Sequence, residues 1–198
     1  RGRFSPRYRA IGTSGRGGCA RLIPSPLGGA RLVAAGAPEH IAAATLLWLG
    51  WKPDEPLADP MCGSGTFGIE AACFARAIPS VANADGLSAR RWPIWRQEVF
   101  DEVLASRSQT ASSCDIHVSD HTRGAVDATR DNAARAGVSD VLHIECRPLQ
   151  DLELPEPSGL IVCNPPYGQR IGNVRRLAEL YADLGRLMST KFRGWRLA

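Results

Sequence analysis

Four consecutive residues, Asn164, Pro165, Pro166 and Tyr167, follow directly on the apolar run Leu160-Ile161-Val162-Cys163. Such a run reads as a buried strand, and the two prolines end it abruptly, since neither can donate a ladder hydrogen bond and each fixes φ. The result is a stiff cluster of amide side chain, backbone carbonyl and aromatic ring at the strand's C-terminal end, where open α/β sheets bind ligands. The Asn164 side-chain oxygen and the Pro165 carbonyl can each accept one proton of a single –NH₂ group. Accepting both opposes delocalisation of the nitrogen lone pair into a ring and frees it to attack an electrophilic carbon. Tyr167 can stack on the ring that carries the amine, a contact worth roughly 1–3 kcal/mol. Asn-Pro by itself also ends strands as a plain turn, so this motif needs a second one beside it.

The second motif runs from Leu57 to Glu70: Leu57-Ala58, then Asp59-Pro60-Met61-Cys62-Gly63-Ser64-Gly65-Thr66, then Phe67-Gly68-Ile69-Glu70. It reads as strand, acid, tight glycine loop and helix. Gly63 and Gly65 allow positive φ and close backbone approach, and Thr66 or Ser64 can serve the helix N-terminus. No lysine follows the loop, which excludes the phosphate-cradling Gly-x-x-x-x-Gly-Lys-Ser/Thr pattern. Gly63, Gly65 and Gly68 do carry Gly-x-Gly-x-x-Gly spacing, which keeps a dinucleotide reading open. Asp59 argues against it: a carboxylate there repels a pyrophosphate and suits the cationic amino-acid end of S-adenosylmethionine.

The elements that must position these groups are legible from periodicity. A helix is expected over 39–49, behind Pro38, with Ile41, Thr45, Trp48 and Leu49 near one face. Residues 116–121 alternate and end on an acid, a second strand whose Asp120 stands where dinucleotide folds hold ribose hydroxyls. His121 reads either as a pocket neighbour of Asp120 or as a surface histidine. A helix follows over 125–136, capped by Gly137. A third strand spans 141–146, a helix covers 177–187 with Leu177, Leu180, Leu184 and Leu187 on one stripe, and 194–198 opens a fifth strand.

Taken together, Asp59-Pro60-Met61-Cys62-Gly63-Ser64-Gly65-Thr66, Arg91-Trp92-Pro93 and Asn164 through Gly172 resemble the class I S-adenosylmethionine-dependent methyltransferases, and within them the THUMP-associated RNA guanine-N2 methyltransferases of the bacterial 23S ribosomal RNA type. The resemblance covers roughly residues 33–198. It implies a Rossmann-like α/β sheet with flanking helices, S-adenosyl-L-methionine as cofactor, and methyl transfer to guanine N2 in RNA, ribosomal before transfer RNA. It implies that Asn164, Pro165, Pro166 and Tyr167 hold the target base, and that Asn164 also borders the cofactor. Asp59 through Thr66 would hold the methionine end, and Asp120 the ribose. Helix 39–49 corresponds to a segment that closes over the cofactor, although a core-packing helix reads equally well. Asn132-Ala133 and Gly137 match the pattern that follows the second strand.

Two departures stand out. Relatives place an acid soon after the third strand for the adenine amine, where this chain has Arg147-Pro148-Leu149-Gln150-Asp151; Asp151, or Gln150, is the available substitute. The family fold also has sixth and seventh strands, and none follows residue 198. The expected layout is an arm over 1–37 and a methyltransferase domain over 38–198, incomplete at its C-terminus, with an insertion over 80–113.

Composition fits a cytoplasmic enzyme with one core: 198 residues, 44% of them hydrophobic. Six cysteines form no Cys-x-x-Cys pair and read as reduced, buried thiols, and four histidines form no zinc-ligand spacing. No apolar run reaches the roughly 18 residues of a membrane helix. Net charge is +4, but residues 1–38 carry seven arginines and no acid. That arm reads equally as a phosphate-contacting segment and as a solvated linker. In the insertion, Arg90-Arg91-Trp92-Pro93-Ile94-Trp95-Arg96 precedes a helix over 97–106; Trp92 and Trp95 are expected to anchor it, with the arginines forming a substrate-facing rim. Three rivals stay open: an adenine-N6 nucleic-acid methyltransferase, a protein glutamine-N5 methyltransferase, and an inactive RNA-binding fragment.

Overall fold

Every strand runs the same way, as the alternation of strand and helix along the chain requires. In a computed structural model of the chain, residues 38–78, 88–105, 115–165 and 174–198 are described. The arm over 1–37, the flanks of the insertion, and Pro166 and Tyr167 with the residues up to 173 lie outside them. The strands are β1 (Leu57–Asp59), β2 (Ile116–Asp120), β3 (Leu142–Cys146), β4 (Gly159–Ile161) and β5 (Trp195–Leu197). The helices are α1 (Glu39–Trp48), α2 (Thr66–Ala75), α3 (Gln97–Ala105), α4 (Arg123–Ala136) and α5 (Val174–Thr190).

The five strands lie in the order β3-β2-β1-β4-β5, all parallel. The chain thus steps from β1 outward to β2 and β3, then returns to β4 on β1's other side. At such a switch the connections leaving neighbouring strands diverge and open a crevice beyond their C-terminal ends. Here those strands are β1 and β4, which carry the two motifs. Among the described residues the sheet has five strands, so the sixth and seventh expected from the resemblance have no counterpart here.

Both faces of the central strands are buried, so they read as continuous apolar runs. Successive side chains point to opposite sides. Leu57, Leu160 and Val162 join the core beneath α1, α2 and α4, with Ala42, Leu46, Ile69, Val118 and Ala133. Ala58 and Ile161 join the second core, with Leu149, Leu152, Leu184, Phe192 and Trp195 around α5. A Cβ on Gly68 would stand 2.3 Å from the Val118 side chain, so glycine lets α2 lie directly on β2. Arg196 on β5 reaches both carboxylate oxygens of Glu55, at 2.8 and 2.9 Å, and the Leu49 carbonyl at 3.0 Å, tying the last strand to the α1–β1 connection.

Several sequence expectations are corrected. On α1 the buried stripe is Ala42 and Leu46, whereas Ile41 is 49% and Trp48 86% exposed. The helix packs on α2 through Ala42 and Leu46, and Ile41, Leu47 and Trp48 face outward. Trp92 is also exposed rather than an anchor, and Trp95 packs on Phe100 of α3, within the insertion itself. Cys146 is exposed at the end of an edge strand and Cys163 half-buried, so the reading of six buried thiols fails there. Helix α5 extends beyond 177–187 at both ends.

Candidate functional site

The sheet register decides which side chains share the crevice. Asp59 pairs with Val118 on β2, and Ala58 with Ile161 on β4, which sets Asp59 level with Val162. Asp120 and Asn164 therefore each stand two residues further along, one on either side of β1, roughly 7 Å above Asp59. Pairing runs one or two residues past the end of β4: Val162 donates its N–H to the Ala58 carbonyl at 2.9 Å, and Cys163 donates to Ala198 at 3.1 Å. Asn164 and Pro165 are half-buried just past it. Asp59 and Asp120 come together at the ends of β1 and β2, and Asn164 and Pro165 follow β4 at the same edge of the sheet; Pro166 and Tyr167 lie outside the described residues.

Asp59 is the most heavily buried acid of the site, 2% exposed. Its Oδ1 accepts the Met61 N–H at 3.2 Å, a turn that re-aims the chain out of β1. Burial pushes its carboxyl up to about 7; the Met61 bond offsets part of this, and the Asp120 charge adds to it. A buried carboxylate lacking a cation is costly, and an ammonium or sulfonium placed beside it would relieve that cost. The thiols flanking it, Cys62 and Cys163, are pushed up to about 12, first by burial and then by the Asp59 charge. Both are neutral at physiological pH, which excludes them as thiolate nucleophiles.

Asp120 ties the two loops together. Its Oδ2 accepts the Gly63 N–H at 3.1 Å and its Oδ1 the Thr122 N–H at 2.8 Å, leaving carboxylate lone pairs for hydroxyl donors. The exposed His121 ring stands beside it, Nδ1 to Oδ1 at 3.3 Å, a surface histidine at the rim. The glycine loop, Pro60 to Gly65, is in turn held from below by α4. Thr129 donates its hydroxyl to the Gly63 carbonyl at 3.1 Å, and Asn132 donates its amide to the Ser64 carbonyl at 2.8 Å. Because a trans peptide sets C=O and N–H on opposite sides, fixing the Gly63 carbonyl turns the Ser64 N–H away from α4. Gly65 adopts φ +83, and a Cβ there would stand 2.5 Å from the Thr129 methyl.

Gly65 is also the N-cap of α2, with no side-chain cap bond. The expectation that Ser64 or Thr66 caps this helix is corrected: their hydroxyls bond each other at 3.3 Å. The α2 N-terminus, with its orphan N–H groups and positive dipole end, therefore faces the loop uncapped by a side chain. Sequence reasoning misses Thr129. The available signal is a hydroxyl at the middle of the stripe Val126, Thr129, Ala133, all fully buried.

After β3, Asp151 lies exposed in the 3₁₀ turn Leu149–Asp151, which buried Leu149 pins to the second core. Gln150 donates its amide to Asp183 on α5, which commits it there. Nearer to Asp120 are Cys146, its register partner, and Arg147, whose N–H donates to the Asp120 carbonyl at 3.1 Å. A cavity lined by His117, Ser119, His143, Glu145 and Arg147 has a volume of about 10 Å³. It would hold roughly one water and lies on the sheet's other face, so the crevice above Asp59 is the better candidate for chemistry.

A sequence profile described as the RMKL-like methyltransferase domain matches residues 29–198. A Synechocystis sp. protein described as a candidate RNA methyltransferase is 33% identical over 160 residues, covering 79% of this chain. The ribosomal RNA large subunit methyltransferase K/L of Photobacterium profundum is 38% identical over 169 residues, again 79% of this chain. Among solved structures, SMU.472, described as a candidate methyltransferase complexed with SAH, superimposes with TM-score 0.74 at 31% identity over 85% of this chain. A predicted N6-adenine-specific DNA methylase from Listeria monocytogenes gives TM-score 0.74 at 28% identity over 84%. The chain spans 42% and 23% of those two curated relatives and 45% of each of those two solved chains.

Proposed function

This chain belongs to the RMKL-like methyltransferase domain family, and from that membership we propose that it transfers a methyl group from S-adenosylmethionine to an exocyclic amine of RNA, guanine N2 of 23S ribosomal RNA. The observation that carries the reading is the strand order at the sheet's switch point, in which Asp120 closes the strand on one side of Asp59 and Asn164 follows the strand on its other side. The solved relative complexed with SAH supports the cofactor class, and the K/L relative supports the ribosomal substrate.

The residues fit that cofactor by their chemistry. Asp59, buried and with no cation beside it among the described residues, suits the charged methionine end, and the loop from Pro60 to Thr66 follows it, open at Gly63. Asp120 has lone pairs for the ribose hydroxyls. Asp151 is assigned to the adenine amine because it is the acid that follows β3 in this chain. When bound, the cofactor supplies an electrophilic methyl on a sulfonium.

The protein's part in the reaction is alignment. Asn164 Oδ1 and the Pro165 carbonyl accept the two amine protons and hold the nitrogen lone pair toward the methyl, while Tyr167 stacks the base. Pro165 and Pro166 keep this cluster stiff, so little order remains to be imposed on binding. The amine proton leaves to solvent after transfer, so no strong general base is required. The base reaches the site only when unpaired or flipped out of its stack. The expected cytoplasmic location belongs to this same proposal; among the described residues no helix is long and apolar enough to cross a membrane.

A second reading, adenine-N6 methylation, is favoured by the Listeria relative's description. The test is incubation with labelled S-adenosylmethionine and unmodified 23S ribosomal RNA, alongside Asn164→Ala, followed by nucleoside analysis. N2-methylguanosine that disappears in the variant supports the proposal. N6-methyladenosine keeps the mechanism and replaces the substrate. No label in either, with no cofactor bound, leaves the inactive-fragment reading.

A further inference from the structure

Two tryptophans three residues apart are treated in opposite ways. The Trp95 ring packs on Phe100 with centroids 5.2 Å apart, and its Nε1–H donates to Gln97 at 3.3 Å. Trp92 is 60% exposed, and Ile94, between them, 79%. Both side chains forgo the burial that such residues ordinarily contribute. The segment that presents them is nonetheless stiff: Pro93 fixes φ, and Trp95 donates its N–H to the Trp92 carbonyl at 3.0 Å. Arg90, Arg91 and Arg96 flank it in sequence and are exposed, Arg90 donating to Gln97 at 3.2 Å, and residues 88–97 contain three arginines and no acid. The acids begin on α3, where Asp101 accepts from Gln97 at 2.9 Å.

We propose that the turn from Arg91 to Arg96 is a docking surface for unpaired RNA, with Trp92 stacking a base and the arginines contacting phosphates. The proposal rests on the RNA reading above. Charge complementarity selects the polyanion: an exposed ring in a short turn with exposed arginines before and after it, and no carboxylate between residues 88 and 97, suits a single strand, whose bases offer π-faces and whose backbone offers charge. Helix α2 carries the chain back to the edge where the strands begin, and Asp115 re-enters there, its carbonyl accepting the Leu57 N–H at 2.9 Å. The insertion is therefore rooted at the edge opposite Asn164. Trp92 is no member of the proposed catalytic cluster, so its loss is expected to raise KM for RNA without lowering kcat.

Fluorescence anisotropy with labelled oligo(U) tests this directly. Trp92→Ala is expected to weaken binding about tenfold, and Trp92→Phe, which keeps a stacking face, to retain most of it. Arg91→Ala and Arg96→Ala are each expected to lower the slope of log affinity against log salt by about 0.7. S-adenosylmethionine affinity and melting temperature are expected to stay unchanged in all four. Unaltered oligo(U) affinity in Trp92→Ala overturns the proposal, and so does a large drop in its melting temperature, which would make the ring a packing group. Loss of self-association in that variant, with oligo(U) binding intact, overturns it in favour of a second copy of the chain. The assay needs no methyl transfer. Oligo(U) binding through Trp92 without cofactor binding would sink the proposed activity and leave this surface; cofactor binding without oligo(U) binding would do the reverse.

Discussion

Thr129 donates its hydroxyl to the carbonyl of Gly63 at 3.1 Å from a position on α4 that is fully buried. With Asn132 one turn later on the Ser64 carbonyl, it makes α4 the support for the loop that faces the proposed cofactor. Thr129→Val keeps the shape and removes the donor. It is expected to cost about 1–3 kcal/mol, the penalty of a buried carbonyl left unpaired, and to weaken S-adenosylmethionine about tenfold. Calorimetric titration beside a denaturant melt checks both. Unchanged cofactor affinity in a destabilised variant would reduce Thr129 to a packing role.

Gly65 meets the same threonine from the other side. Gly65→Ala places a Cβ at φ +83, strained for an L residue by about 1–2 kcal/mol, and 2.5 Å from the Thr129 methyl. Its cost should exceed the strain alone. In Gly65→Ala/Thr129→Ser the closest contact is removed while the Oγ and Cβ contacts at 3.0 and 3.1 Å and the strain remain, so the double variant should be more stable than the sum of the singles. Simple additivity would show that the loop moves aside at little cost.

Asp59 sets a pH dependence with a defined sign. Its carboxyl is raised from 3.8 to about 7, so the folded chain holds that proton more tightly than the unfolded chain does. Its contribution to stability is present below about 4 and is lost as pH rises through about 7. Asp59→Asn removes that loss and should be the more stable protein at pH 8, by no more than about 4 kcal/mol, while failing to bind cofactor. Urea melts of both proteins at pH 5 and pH 8 isolate the difference.

The same carboxyl couples cofactor binding to a proton. A cation beside Asp59 stabilises the ionised form, so binding below about pH 7 must release the proton first. S-adenosylmethionine affinity is expected to rise by up to tenfold per pH unit toward 7 and then level off. Titrations in two buffers of different ionisation enthalpy count the proton. A flat profile from pH 5.5 to 8 would mean that Asp59 does not face the cation.

Thiol chemistry should divide along the burial pattern. Cys62 and Cys163, pushed up to about 12, are expected to resist iodoacetamide at pH 8 in the folded chain, whereas exposed Cys146 is expected to react. Peptide mapping by mass spectrometry distinguishes them. Modification of Cys62 before Cys146 would contradict the closed setting of the loop.

Much of this architecture is legible in the order of residues alone. Strand, acid and glycine loop at 57–65, the acid closing β2, and the Asn-Pro step after β4 are local signals, because a strand's end and a tight turn are decided by a few adjacent residues. The order of strands and helices follows from periodicity, which is also local.

What periodicity cannot say is which stripe of a helix meets the core. On α1 the large apolar residues Ile41 and Trp48 suggest one face, and packing against α2 selects Ala42 and Leu46 instead. The same limit applies to Trp92 and Trp95, which carry equal hydrophobicity and differ only in what lies next to them. Nor can the sequence show that Thr129, far along the chain from Gly63, supplies the loop's hydrogen bond. The sequence by itself determined the chemical groups of the site and the ends of the elements that bear them. Tertiary structure alone decided that the strands leading to Asp120 and Asn164 lie on either side of the strand that ends in Asp59, because strand order and register arise from contacts between residues distant in the chain.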